Sequence, residues 1–503
     1  MSISVEVGLL SGKTATVTTS LKGTIATLRR RAQAALGVGR GRLLDESGNV
    51  LDACAPIKRA RLQNGDSLTL QMRRVQIIAS DSAFAAIMGD GSVVTWGYGE
   101  AADSDAVQDQ LKNVQQIQAS VGAFAAILGD GSVVTWGDAR YGGDSSAVQD
   151  QLKTVQHIQA SMRAFAAILG NGSVVTWGAA HLGGDSNAVQ DRLKNVQQIQ
   201  ASVGAFAAIL EDGSVVTWGD YRCGSDSGAV QGQLKNVQQI QASRQAFAAI
   251  RGDGSVVTWG TCRLNRAVQD QLKNVQHIQA TEQAFAAILD DGSVVTWGNA
   301  DYGGDSSAVR NRLKDVKYIQ ATAKAFAAIL GDGSVVTWGD GRNGGDSSAV
   351  QHQLQNVQQI QASDAAFAAI LDDGTTVTWG DLLGGNSTSV HEQLKHVQQI
   401  QVLFHAFAAI LEDGSVVTWG SSDHGGDSRA VQVKLKNVQQ IQATRGILPP
   451  GAFAAILGDG SVVTWGTKST DIPIVKTYDE LKAVIEGIVT EKAVPNGKRQ
   501  KTA

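Results

Sequence analysis

AFAAILGDGSVVTWG, residues 123–137, is the stretch from which the fold can be read. Two apolar runs flank Gly129-Asp130-Gly131, and an Asp-Gly pair so placed signals a β-hairpin, because the tight turn requires positive φ. Side chains alternate across a strand, so Phe124, Ala126 and Leu128 share one face while Ala123, Ala125 and Ile127 share the other. Both faces are apolar, which predicts a sheet covered on both sides. The alanines leave room for a neighbouring sheet to approach closely.

The phrase recurs ten times, on Trp96, Trp136, Trp177, Trp218, Trp259, Trp297, Trp338, Trp379, Trp419 and Trp465, and these are all the tryptophans of the 503-residue chain. The intervals are 40, 41, 41, 41, 38, 41, 41, 40 and 46 residues, and each tryptophan follows a phenylalanine by twelve. Self-similarity at such a period marks a repeat architecture. A lone hairpin is marginal in water, so each copy must bury its faces on the next. Burying one tryptophan removes roughly 150–250 Å² from water. At about 25 cal/mol/Å² that is roughly 4–6 kcal/mol of gross stabilisation per repeat.

Ahead of the hairpin, VQQIQAS (114–120) is β-prone and alternates apolar with polar, with one slip in register. Behind it, GGDSSAVQDQLKT (142–154) is glycine-rich and then polar, with Val148 and Leu152 four apart. Two forms fit it: a short helical turn capped by Asp144 or Ser145, or an irregular outer strand.

The repeats resemble the regulator of chromosome condensation family. The features that carry the resemblance are QAS, AFAAILGDGSVV, TWG and YGGD, and they span residues 75–466. The resemblance implies a β-propeller and a mainly β chain. A period near 41 is shorter than that family's and resembles the three-stranded blades of β-lactamase inhibitory propellers. Ten copies also exceed the family's customary ring, leaving an enlarged ring, a smaller ring with extra units, or an open spiral as alternatives.

Residues 1–74 resemble ubiquitin, a β-grasp domain. VEVGLLSGKTATV (5–17) reads as a hairpin turning at Ser11-Gly12, TIATLRRRAQAALGV (24–38) as an amphipathic helix started by Thr24, and RLLDESGNVLD (42–52) and NGDSLTLQMRR (64–74) as later strands. The resemblance implies a recognition patch in which Leu10 and Leu44 match two of the exposed aliphatics, while Gln71 replaces the third. The chain continues through Arg73-Arg74-Val75 without Gly-Gly, so conjugation to other proteins is not expected. The competing reading makes this unit a cap on the first repeat.

The hairpin body scarcely varies among copies. Variation concentrates in the pair after Gln-Ala-Ser/Thr, such as Met162-Arg163 and Arg244-Gln245, and in the residues after Trp-Gly. The latter include Arg140-Tyr141, His181-Leu182, Tyr221-Arg222, Arg263-Leu264, Asp301-Tyr302 and Arg342-Asn343. Strand direction places both sites on one rim, and loops on a rigid scaffold are where binding resides. Tyrosine and arginine are typical interface anchors. The candidate partner-binding residues are therefore Arg140, Tyr141, Arg163, His181, Tyr221, Arg222, Arg244, Arg263, Tyr302 and Arg342, with Leu10 and Leu44 on the front unit. Phe404 joins them because the ninth copy reads Val402-Leu403-Phe404-His405 in place of the usual polar pair. That segment and the ILPPG insertion at 447–451 suggest a distinct contact or, preferably, the seam of the array.

The net charge of −4 divides into +7 over residues 1–74 (12 Lys+Arg, 5 Asp+Glu) and −11 over the remainder. An acidic array is poorly suited to neutralising phosphates, which disfavours nucleic acid as partner. Cys54, Cys223 and Cys262 form no disulfide or zinc spacing. His391 and His396 lack the metalloprotease arrangement, and Gly-Asp-Gly-Ser lacks the EF-hand ligand series and the Walker lysine. No apolar run reaches membrane-spanning length and no secretory signal is apparent. Residues 477–492 read as an amphipathic helix and the tail as basic and disordered. The expectation is a non-catalytic scaffold or adaptor without cofactor, in the cytoplasm or nucleus. Its rim would bind protein partners and its front unit would engage ubiquitin-pathway or proteasome components, as implied by the likeness to HERC-type propellers. The alternatives are a guanine-nucleotide exchange factor for a small GTPase and a propeller-type enzyme inhibitor.

Overall fold

The computed structural model describes residues 2–9, 12–21, 23–36, 41–49, 51, 55–72, 75–262, 264–446 and 451–466. The expected C-terminal helix and basic tail lie outside them.

The front unit is a four-stranded sheet with one helix packed on it. β1 (Ser2–Gly8) and β2 (Thr14–Ser20) form the expected antiparallel hairpin. β4 (Ser67–Met72) runs parallel to β1, and β3 (Gly41–Leu44) pairs antiparallel with β4. Helix α1 (Ile25–Leu36) buries Ile25, Leu28, Ala32 and Leu36, one stripe of its surface, against Val5, Val17 and Leu70. Thr24 starts it, its hydroxyl accepting from Thr27 N at 3.3 Å. The strand expected over 42–52 ends at Leu44. Asp45 there accepts from Ser47 N and Asn49 N at 2.9 and 2.8 Å, a local turn that competes with strand pairing.

Each of the ten repeats is a separate three-stranded antiparallel sheet in sequence order. In blade 2 these strands are Val114–Ala119, Ala123–Leu128 and Val133–Gly137. The register slip expected in the first strand is a bulge between Val114 and Gln116. Of the Asp-Gly pair only the glycine takes positive φ, 81° at Gly131, and Asp130 instead accepts from Ser132 N at 2.9 Å and Ser132 Oγ at 2.6 Å.

The two apolar faces do different work. Phe124, Ala126, Val134 and Trp136 pack against Ala83, Ala85 and Ile87 of blade 1, whereas Ala123, Ala125 and Ile127 receive Phe165 and Trp177 of blade 3. An aromatic face thus beds into the alanine face of the preceding blade. Within each blade Phe and Trp stack with centroids 5.0–5.3 Å apart. The same contact closes the array: Phe84 and Trp96 of blade 1 pack on Ala452, Ala454 and Ile456 of blade 10. Two backbone bonds cross this junction, Arg445 N to Ser80 O at 2.9 Å and Gly446 N to Asp81 O at 3.1 Å. The ten blades form one ring. Its closure lies between blades 10 and 1, so the Val402–His405 segment is not the seam, and Ile447–Pro450 of the insertion lie outside the described residues.

The first strands of successive blades touch one another all the way round and line the axis. The linkers after most outer strands cross to the next blade on 3-10 turns. In 142–154 this is Ser146–Gln151, held by Asp144 Oδ1 accepting from Ser146 N at 2.8 Å, while Ser145 makes no capping bond and pairs with Thr135 Oγ1. The helical form of this segment is therefore the observed one, and Asp144 holds it.

Candidate functional site

Antiparallel register sets both variable sites at one end of every blade. Ala160 pairs with Phe165 and Ala164 with Gly178, so the turn at Met162-Arg163 lies beside the exit from Trp177-Gly178. The two are also bonded, since Ala179 N donates to Arg163 O at 2.9 Å. The buried Ser/Thr between them completes the join. Ser120 Oγ donates to Tyr141 O at 2.8 Å, Ser202 Oγ to Cys223 O at 2.7 Å, and Thr281 Oγ1 to Tyr302 O at 2.9 Å. A hydroxyl-bearing residue after Gln-Ala thus fixes the outer loop relative to the inner turn.

The loop itself depends on a left-handed glycine. Gly142 has φ 92°, and a Cβ there would stand 2.7 Å from the Phe165 ring of the next blade. Its carbonyl receives the indole N–H of Trp177 at 3.0 Å. The linker after blade 5 is shorter, a four-residue helix Arg266–Gln269 started by Asn265, and Trp297 Nε1 of the next blade is buried without a hydrogen-bond partner among the described residues.

The face divides into two concentric zones. The outer zone holds the loops after Trp-Gly. Tyr221 is 69 % exposed, and Arg140, His181, Arg222 and Arg342 are also exposed. Arg140 is tied to Asp138 by an ion pair at 2.6 Å, which pulls that carboxyl below its ordinary range. Tyr141 and Tyr302 are only half exposed, because Arg163 and Lys324 of the following blades lie over their rings at 4.8 and 5.1 Å. Phe404 is likewise half-buried, packed on His405 and His424 with centroids 4.3 and 5.6 Å away. Leu44 ends β3 of the front unit and lies apart from the ring's face; Leu10 and Arg263 fall outside the described residues.

The inner zone was not resolved by the sequence reading. The first residue of each variable pair surrounds the axial opening, and most of them form a collar of backbone hydrogen bonds. Asp81 N donates to Val121 O, Val121 N to Met162 O, Met162 N to Val203 O, and so on through Arg244, Glu282 and Ala323 to Asp364 O, at 2.9–3.3 Å. This chain of bonds stops at blade 9, where Phe404 takes the collar position and Leu403 replaces the hydroxyl. Leu382 and Leu383, 87 % and 52 % exposed in the loop after blade 8, were also missed. Their signal was visible as a pair of adjacent leucines, which no other copy carries in this loop.

No group of three or more His, Cys, Asp or Glu among the described residues could hold a metal, and no helix among them is long and apolar enough to cross a membrane. Cys223 and Cys262 are free and buried, with burial raising both thiols above their ordinary value; Cys54 lies outside the described residues.

No protein-family model matches the chain, and no curated protein matches its sequence. Solved structures similar to it include Prp20p of Saccharomyces cerevisiae, the yeast RCC1, at 16 % identity and a TM-score of 0.32, covering 68 % of this chain and 86 % of that one. The computationally designed Ika8 protein is 16 % identical with a TM-score of 0.31, covering 62 % of this chain and 96 % of its own. A designed protein based on ubiquitin is 23 % identical with a TM-score of 0.14, covering 14 % of this chain and 89 % of its own. The ring and its closure rest on this chain's own contacts.

Proposed function

We propose that the chain is a non-catalytic protein-binding scaffold whose variable face is the docking surface. One observation carries this reading: the two sites at which variation among the blades concentrates lie on a single face, joined in blades 2, 3, 4, 6 and 7 by a buried hydroxyl. An invariant scaffold presenting varied tyrosine, arginine and leucine side chains suits protein recognition.

The front unit supports the further reading of an adaptor linked to the ubiquitin pathway. Its order β2-β1-β4-β3, with a parallel central pair and one crossing helix, is in keeping with the ubiquitin resemblance. It meets the ring at the hairpin turn of blade 1, on the face opposite the variable loops, so both surfaces are available together.

The test is recovery of bound proteins by the full chain, followed by direct titration of each purified candidate. Changing Tyr221, Arg222 and Arg342 to alanine should weaken a true partner at least about tenfold, as loss of interface anchors does. Changing Asp212 and Asp332 on the opposite face should leave it intact. Equal binding by both variants would refute the docking face. A small GTPase bound there, with its nucleotide released faster, would place the chain among exchange factors instead.

A further inference from the structure

The axial opening on the variable face widens into a cavity of about 600 Å³. Its charged lining is Asp81, Arg244, Glu282, Asp364 and Arg445. Four of these five are arranged as neighbours of opposite sign. Arg244 Nη1 lies 2.6 Å from Glu282 Oε1, and Arg445 stands beside Asp81 on the adjoining blade, lowering a carboxyl that burial raises. Asp364 is left over: its carboxylate has no hydrogen bond and no ion pair among the described residues. Burial first, and Glu282 second, push it up to about 6, and Arg244 offsets this only in part.

Place in the ring supplies the second half of the argument. Asp364 belongs to blade 8, five blades from Met162 of blade 3, so the two face each other across the axis of a ten-blade ring. Met162 is 38 % exposed and is flanked in the collar by Val121 and Val203. The mouth therefore offers a carboxylate that makes no ion pair among the described residues and is only partly offset by Arg244, with an apolar arc directly opposite.

We infer that the axial mouth receives a partner's peptide segment carrying a cationic side chain next to an apolar one, the cation seated on Asp364 and the apolar group on Met162. This rests on the reading of the variable face as a protein-docking surface and adds the chemistry of what docks at its centre. An ammonium or guanidinium group would supply the charge Asp364 lacks, whereas an anionic segment would meet an excess of carboxylates, three against two arginines. The collar holds the arc and the carboxylate at fixed separation, so little ordering is required on binding.

The probe is a fluorescein-labelled hexapeptide of alternating leucine and arginine, titrated into the full chain, with a leucine–glutamate hexapeptide as counterpart. The arginine peptide should bind at least about tenfold tighter than the glutamate peptide. Asp364→Asn should weaken it about tenfold and Met162→Ser several-fold, with a single cooperative melting transition in each variant confirming the fold. Affinity should fall between pH 7.5 and pH 5 as Asp364 takes up its proton, and Asp364→Asn should abolish that dependence. Equal binding of the two peptides, no binding by the unaltered chain, or full binding by Asp364→Asn would each overturn the inference. Changing Asp212 and Asp332 to asparagine, on the opposite face, should leave the peptide's affinity unchanged. A face that binds protein but a mouth that ignores the peptide would refute this inference alone.

Discussion

Arg29 of helix α1 reaches the hairpin turn of blade 1, where its Nη1 lies 3.2 Å from Oδ2 of Asp90. The Asp90 side chain is only 6 % exposed, whereas the matching Asp130, Asp212 and Asp332 of other blades are open to solvent. The front unit thus covers one turn of the ring. Such a contact is what the reading of residues 1–74 as a cap on the first repeat expects, and it is made by the helix.

Arg29→Met should destabilise the chain by about 1–3 kcal/mol, since it strips a largely buried carboxylate of this counter-charge. Asp90→Asn in the same chain should recover part of that loss, because the carboxylate no longer has to be compensated. Urea denaturation of the single and double variants measures the coupling. Additive losses would show that the pair contributes nothing of its own.

Trp338 and Trp297 occupy the same place in neighbouring blades but differ in one hydrogen bond. Trp338 Nε1 donates to Gly303 O at 3.0 Å, whereas Trp297 Nε1 is buried without a partner among the described residues. Trp338→Phe and Trp297→Phe remove equal volume, so Trp338→Phe should cost about 1 kcal/mol more. Matched thermal melts decide it, and equal losses would mean the bond has no net value.

Thr154 is left-handed at φ 57°, a position held by Asn113, Asn195 and Asn236 in adjoining blades. Its backbone must take this form, because Val155 N donates to Gly131 O at 2.8 Å and Gly170 N to Thr154 O at 2.8 Å. A β-branched side chain is poorly tolerated there, and asparagine much less so. Thr154→Asn should therefore stabilise the ring by about 1 kcal/mol. A lower melting temperature would contradict this.

Asp364 ties stability to pH. Its native value, about 6, lies above the 3.8 of an unperturbed carboxyl, so the native chain holds this proton through a range in which the unfolded chain has lost it. The contribution is complete below the unfolded value and is lost as pH rises through about 6. Asp364→Asn should make the chain more stable at pH 7, by roughly 1 kcal/mol after allowing for water in the open mouth. It should also remove this residue's share of the slope between pH 4 and 7, and denaturation midpoints across that range provide the comparison.

The blade was legible because its information is local. Alternation in Ala123–Leu128, the turn at Asp130-Gly131 and the twelve-residue spacing of Phe124 and Trp136 all lie within one repeat. Strand direction alone placed Arg163 and Tyr141 on one rim, although that Arg163 would lie over the ring of Tyr141 depends on two blades meeting. The loop after Thr261 was likewise visible as a 38-residue interval, but its consequence, an indole at Trp297 without a partner among the described residues, needed the neighbouring blade.

By itself the sequence determined the repeat, its hairpin, its two variable sites and their common end, since each follows from period, turn chemistry and strand polarity. Only the tertiary structure decided how many blades share one axis, because closure depends on the small rotation accumulated at each interface. That rotation brings Ala452 and Ala454 to Phe84, and Gly446 to Asp81, across nearly the whole length of the array. It also sets Asp364 opposite Met162, residues some two hundred positions apart with no pattern linking them. Their relation is a property of the closed ring, fixed by geometry that no single repeat contains.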